Sequence, residues 1–237
     1  MKRNQLMSEQ NVTPIDRFDQ IMEPYDDYSA SPTTVILAVA KLAMCTSGIK
    51  RTPRYIPEFR ENNAEHSFML ALAVTELFPM LFPDLDVGLA VRLALVHEFS
   101  ELMTGDVATF NISDDNLAVK RARESKVVAY VSSYLPPHIA KLYKHYEMQA
   151  DIIAMIVRFI DKLLPFAVDI IGQGSQIMHE DYYTHTLEDL REAHRVLEVR
   201  YLTMFPGSIF LPLHETREIL AKTFEGEYQP SNQVMLW

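Results

Sequence analysis

The sequence predicts an all-α fold of roughly seven to nine helices. Three observations carry that expectation. Glycine is scarce, 7 in 237 residues, too few for the many tight turns of an all-β chain. From Pro32 onward apolar residues recur at helical spacing over long windows. Proline and glycine cluster between those windows: Pro53, Pro57, Pro83, Gly105, Pro136–Pro137, Gly172, Gly174, Pro206–Gly207 and Pro212.

Taken in order, residues 1–30 are polar and acidic (Asp16, Asp19, Glu23, Asp26, Asp27) and read as an N-terminal extension. Helices are expected over about 33–46, 63–79, 86–103, 115–134, 136–146, 148–172, 183–204 and 213–224. They belong to one domain over 31–226, followed by a tail over 227–237 that lacks periodicity and ends at Trp237.

Composition narrows the function. A net charge of −10 lacks the basic footprint of a nucleic-acid binder, while a local pocket can still take a small anion. The sole cysteine, Cys45, forms no intrachain disulfide, in keeping with a reducing cytoplasm. It sits on an apolar stretch and reads as an inert buried thiol. The longest apolar run, Val35 to Met44, is broken by Lys41 and is too short for a bilayer; MKRNQLMSEQNV has no apolar signal core. The expectation is a cytoplasmic protein with neither a membrane nor a nucleic-acid partner.

Three helical windows place polar residues where apolar ones belong. In ENNAEHSFMLALAVTEL, His66 shares the face of Met69, Leu70, Ala73 and Leu77. In LAVRLALVHEFSELMTGD, the face of Ala90 and Ala94 continues into His97 and Glu101, with Glu98 alongside. In DIIAMIVRFIDKLLPF, Asp161 interrupts an otherwise apolar helix. Each has an ordinary explanation alone: a core histidine bonded to a carbonyl, glutamates turned to solvent, an Arg158–Asp161 pair. Together they point to a shared cation, because an unpaired buried carboxylate costs several kcal/mol and three core helices each carry a candidate. Two imidazoles and two carboxylates suit one divalent ion, Mn²⁺, Fe²⁺, Co²⁺ or Zn²⁺, with Mg²⁺ also open. Adjacent His97 and Glu98 reach one ion only if it sits near the helix surface with open positions, as a catalytic metal needs. The clusters His145/Glu147/Asp151 and His179–Glu180–Asp181, with His138 and His185, read as solvated surface.

The stretches GIKRTPR, ENNAEHS and ALVHEFSELMTGD, with VRFIDKLL further on, resemble the HD-domain phosphohydrolases, whose pattern is a histidine, then a His–Asp pair, then a distant aspartate. The similarity runs from about Ile49 to Asp161, more loosely to about residue 205, and within the group is greatest to 5′-deoxynucleotidases. The resemblance implies an HD helical bundle, metal ligands His66, His97, Glu98 and Asp161, and removal of phosphate from deoxynucleoside monophosphates. It implies catalytic roles for Glu101, as the acid–base carboxylate, and for Arg51, which binds phosphate. Asp106 would meet the sugar 3′-hydroxyl, and a homodimer is expected. Two positions depart from the pattern: Glu98 stands for the family aspartate, and Thr52 follows Arg51 where the family has an aromatic specificity residue. Two alternatives remain open. One is a deoxynucleoside triphosphate triphosphohydrolase (acting on dATP, for example) with cations from Lys120, Arg121, Arg123 and Lys126. The other is a nucleotide-binding protein without turnover.

Overall fold

A computed structural model of the chain describes residues 14–25, 31–56, 59–106, 127–172 and 174–230. The basic run Lys120–Lys126 and Trp237 lie outside the described residues. α1 spans Pro14–Ile21 and α2 spans Pro32–Ser47, the latter capped by Ser31, whose hydroxyl accepts from the Thr34 N–H. The polar composition of residues 1–30 concealed α1. Its Phe18 is wholly buried and Met22, just past its end, nearly so, so one apolar edge docks the segment on the core.

A short antiparallel hairpin follows, β1 (Lys50–Ile56) and β2 (Phe59–Asn62), in the register Lys50↔Asn62 and Arg54↔Arg60 with irregularities between the pairs. β2 runs directly into α3 (Asn63–Leu81). Asn62 caps α3 by accepting from the Ala64 and Glu65 N–H groups, while the Glu65 carboxylate accepts from the Asn62 N–H, a reciprocal capping box. That cap fixes where α3 begins and hence places His66 in its first turn.

α4 covers only Val87–Ala94, and α5 covers Glu101–Thr104. One unbroken helix over 86–103 was expected; instead residues 95–100 wind more tightly. The N–H of Val96 bonds to the Leu93 carbonyl, that of Phe99 to Val96 and that of Glu101 to Glu98, all three residues back. α6 (Pro137–Met148) follows a helical stretch over 127–132. α7 (Ile152–Ile171) starts at a cap made by Asp151 and continues through Pro165. α8 (Gly174–Glu180), α9 (Leu187–Met204, capped by Thr186) and α10 (Leu211–Glu227) complete the chain. The 183–186 segment expected to open α9 is not helical, since Tyr183 has φ 54° and the Thr186 cap sets the start.

α7 is the axis of the fold, touching α3, α4, β1 and α10. Around Phe159 the core is aromatic: Phe205 stacks on it at 4.6 Å, and Tyr201 and Phe210 pack at 5.8 and 6.1 Å. β1 crosses the far end of α7 at Gly172. A methyl group there would come within 2.1 Å of the Arg54 carbonyl oxygen and 2.9 Å of the Val168 carbonyl oxygen. Cys45 is buried, and burial pushes its thiol up to about 11, which keeps it protonated and inert. Among the described residues no helix is long and apolar enough to cross a membrane.

Candidate metal centre

His66, on the first turn of α3, His97 and Glu98, in the tight turns between α4 and α5, and Asp161, on α7, converge inside the protein. One donor atom of each lies within 4.8 Å of every other, and all four residues are buried. His66 Nε2 is 2.8 Å from Asp161 Oδ1 and 3.7 Å from Glu98 Oε1, while His97 Nε2 is 3.1 Å from Glu98 Oε1 and 3.6 Å from Asp161 Oδ1. The chain between α4 and α5 winds with three-residue backbone bonds, and the adjacent His97 and Glu98 side chains both reach the centre, His97 Nε2 and Glu98 Oε1 lying 3.1 Å apart.

Both imidazoles are aimed by a bond on the opposite ring nitrogen. His97 Nδ1–H donates to the Ala94 carbonyl at 2.7 Å, and His66 Nδ1–H donates to Glu61 Oε1 at 2.6 Å. Each bond leaves Nε2 facing inward, the arrangement in which a histidine serves a metal. Glu61 escaped the sequence reading; its only signal was an acid just ahead of the capping box. It is wholly buried at the end of β2. Glu61→Gln is expected to weaken divalent-ion affinity about 10–100-fold while the helix content stays the same, read by competition with a chelating dye.

The residues fit a divalent cation. His97 Nε2 is buried and makes no hydrogen bond, an orphaned lone-pair position facing two carboxylates. Glu61, Glu98, Glu101 and Asp161, all buried, stand against one buried guanidinium, Arg51, and the half-buried ammonium of Lys162, which donates to Asp161 Oδ2 at 2.7 Å. That surplus of negative charge in a dry interior calls for a further cation. Burial opposes charging of His97, yet Glu98 and Asp161 beside it raise its pKa to about 10, a pull that a divalent ion in their midst would relieve. Burial likewise opposes ionisation of Glu98, but Arg51 and His97 hold it well below the usual carboxylate range. Lys162 and the two histidines do the same for Asp161 against its own burial.

Three further candidates lie beside this cluster. Arg51, on β1, is buried and pairs directly with Glu98, with Glu61 and Glu101 each 3.9 Å away. Against the effect of burial, the surrounding carboxylates keep it charged. Glu101 opens α5, buried, and its Oε2 accepts from the Asn63 side-chain amide at 2.9 Å. Asp106 follows Gly105, which has φ +71°, and its Oδ2 accepts from the Thr52 N–H at 3.2 Å. The residue after the arginine is thereby tied to the candidate sugar-binding aspartate.

Other polar groups settle differently. Arg158 does not pair off with Asp161; its guanidinium lies 5.4 Å over the ring of Tyr146, which itself packs edge-on against His97 at 5.8 Å. Glu180 and Asp181, expected as solvated surface, accept from Arg54 at 2.8 and 3.1 Å, and Arg60 joins Asp181 at 3.1 Å, fastening the hairpin to α8. His145 pairs with Asp151, and Glu147 accepts from the Ser100 hydroxyl at 2.7 Å, so that cluster too is bonded.

The HD domain family matches residues 48–198. Human 5′-deoxynucleotidase HDDC2 is 27% identical over 157 residues, covering 61% of this chain and 71% of that protein. A crystal structure from Magnetospirillum magnetotacticum MS-1, described as a predicted metal-dependent phosphohydrolase, has a TM-score of 0.58 and 21% identity over 84% of this chain and 99% of that one. At that identity the likeness is one of fold. The family match spans well over half of the sequence and contains every residue of the buried cluster: the chain belongs to the HD-domain family and is an enzyme of its hydrolase class.

Proposed function

We propose that this chain is a divalent-metal-dependent phosphohydrolase that removes the 5′-phosphate of deoxynucleoside monophosphates, acting in the cytoplasm through the domain over residues 31–226. The observation that carries it is the meeting of four buried donors from three segments with an arginine and a third carboxylate, Glu101, at their edge. The sequence likeness to a 5′-deoxynucleotidase supports the substrate class.

In this reading His66, His97, Glu98 and Asp161 hold the cation. When bound there, a divalent ion supplies Lewis-acid charge for a phosphoryl oxygen and a lowered pKa for water. Arg51 spreads its guanidinium over the equatorial oxygens of the phosphoryl group, where charge builds up in the transition state. Glu101 moves a proton, from the attacking water or to the leaving 5′-oxygen, and the Asn63 amide fixes the carboxylate for that work. Asp106 accepts a hydrogen bond from the sugar 3′-hydroxyl. It is positioned for this by the Thr52 N–H. Glu98, one methylene longer than the family aspartate, still brings its Oε1 to 3.1 Å from His97 Nε2 and 3.7 Å from His66 Nε2.

Protein purified without chelators is expected to carry one divalent ion per chain. In Mn²⁺, Co²⁺, Zn²⁺ or Mg²⁺ it should release inorganic phosphate from deoxynucleoside monophosphates. Tripolyphosphate released from deoxynucleoside triphosphates would replace this reading with a triphosphohydrolase, and tight nucleotide binding without product under every ion would replace it with a sensor. We also infer a homodimer, since α9 turns Val196, Val199 and Leu202 to solvent; light scattering on the same preparation measures it.

A further inference from the structure

A second site lies on the other side of α6 from the metal centre. α6 presents Tyr146 to His97, and its opposite face, with residues 132–135 before it, borders a cleft of about 750 Å³. That volume is in the range of small-molecule sites, roughly 300–1,000 Å³. Leu135, Ala140 and Met148 make its apolar wall, and the ring of Tyr25 closes one side, held where the Tyr25 N–H donates to the Ser133 carbonyl at 3.0 Å.

Its charged groups are mostly of one sign. Lys141, Lys144 and His145 line it from α6 at the three- and four-residue spacing of a single helix face. The one acid in the lining, Asp151, is already engaged. It pairs with His145 and accepts the Ile153 and Ala154 N–H groups at 2.9 and 3.1 Å. Two ammonium groups thus face a cleft whose only carboxylate is already bonded to His145 and two backbone N–H groups, on a chain of net charge −10. At the inner end lies Ser132, 7% exposed, with a buried hydroxyl that makes no hydrogen bond. A buried hydroxyl in a folded protein nearly always meets a protein, water or ligand partner.

We propose that this cleft is a binding site for a small organic phosphate, with its phosphate on Lys141, Lys144 and the Ser132 hydroxyl and its apolar body against Leu135 and Met148. The site is independent of the metal centre and of the reaction assigned to it.

Phenylphosphonate, whose carbon–phosphorus bond resists hydrolysis, is the probe, titrated calorimetrically into the full chain. In Asp161→Ala, which takes the metal centre out of contention, one saturable site is expected, and wild type should show that same site beside any binding at the metal centre. Lys141→Glu/Lys144→Glu should weaken binding at least tenfold, and Ser132→Val about tenfold, since the hydroxyl would bond a charged group. Inorganic phosphate alone should bind at least tenfold more weakly than phenylphosphonate. The lysines are exposed, so their reversal should leave the thermal melt unchanged; if it does not, Ser132→Val decides. The proposal is overturned by binding that survives both sets of substitutions, by binding lost in Asp161→Ala, by equal affinity for inorganic phosphate, or by no saturable binding in wild type.

Discussion

Asp161→Ala is expected to leave the fold intact, to abolish retention of a divalent ion and to lower turnover roughly 10³-fold or more. Asp161 Oδ1 stands 2.8 Å from one ligand nitrogen and 3.6 Å from the other, so its loss removes a donor and one of the two carboxylates that gather the imidazoles. The helix itself does not need the carboxylate. α7 keeps its cap at Asp151 and its core contacts at Ile156, Phe159, Ile160 and Leu163, while Lys162, partly exposed, can turn to water. Elemental analysis, circular dichroism and phosphate release read the three outcomes separately. Wild-type turnover in the variant would remove Asp161 from the centre.

Glu101→Gln should act in the opposite pattern. Glu101 lies outside the four-donor cluster, so the variant is expected to keep its ion. The substitution is close to isosteric but removes the proton-transfer group, and kcat should fall about 10²–10⁴-fold with little change in KM. Asn63 donates to Glu101 Oε2 at 2.9 Å and Arg51 Nη1 is 3.9 Å from the same oxygen, so the carboxylate is oriented before substrate arrives. A tenfold rise in KM with kcat unchanged would recast Glu101 as a binding group.

The helical windows and the central cluster were legible in the sequence because burial writes itself as periodicity. His66, His97, Glu98 and Asp161 broke the apolar pattern of three separate windows, and breaks in three windows needed a common partner. What escaped depended on tertiary contact. The hairpin over 50–62 contains Pro53 and Pro57 and pairs irregularly, so it reads as loop although it delivers Arg51 and Glu61. α1 is eight residues with, among its described side chains, a single deeply buried one, Phe18, too little to rise above its acidic neighbours. Glu61 carries no helical phase at all; it is recognisable only once His66 is seen turning toward it. The end of α4 at Ala94 was hidden because tightly wound chain keeps nearly the apolar spacing of an α-helix over so short a stretch.

The crossing of β1 over α7 limits what drift can do to this protein. At position 172 two backbone carbonyls already occupy the place of any side-chain carbon, and neither can step aside as a flexible side chain would. The strand beyond Arg51 and the helix beyond Asp161 are therefore spaced by a residue that tolerates no replacement. A hairpin transplanted from a relative into this chain has to be accompanied by the glycine already at 172, because the strand's close approach to the helix end depends on it.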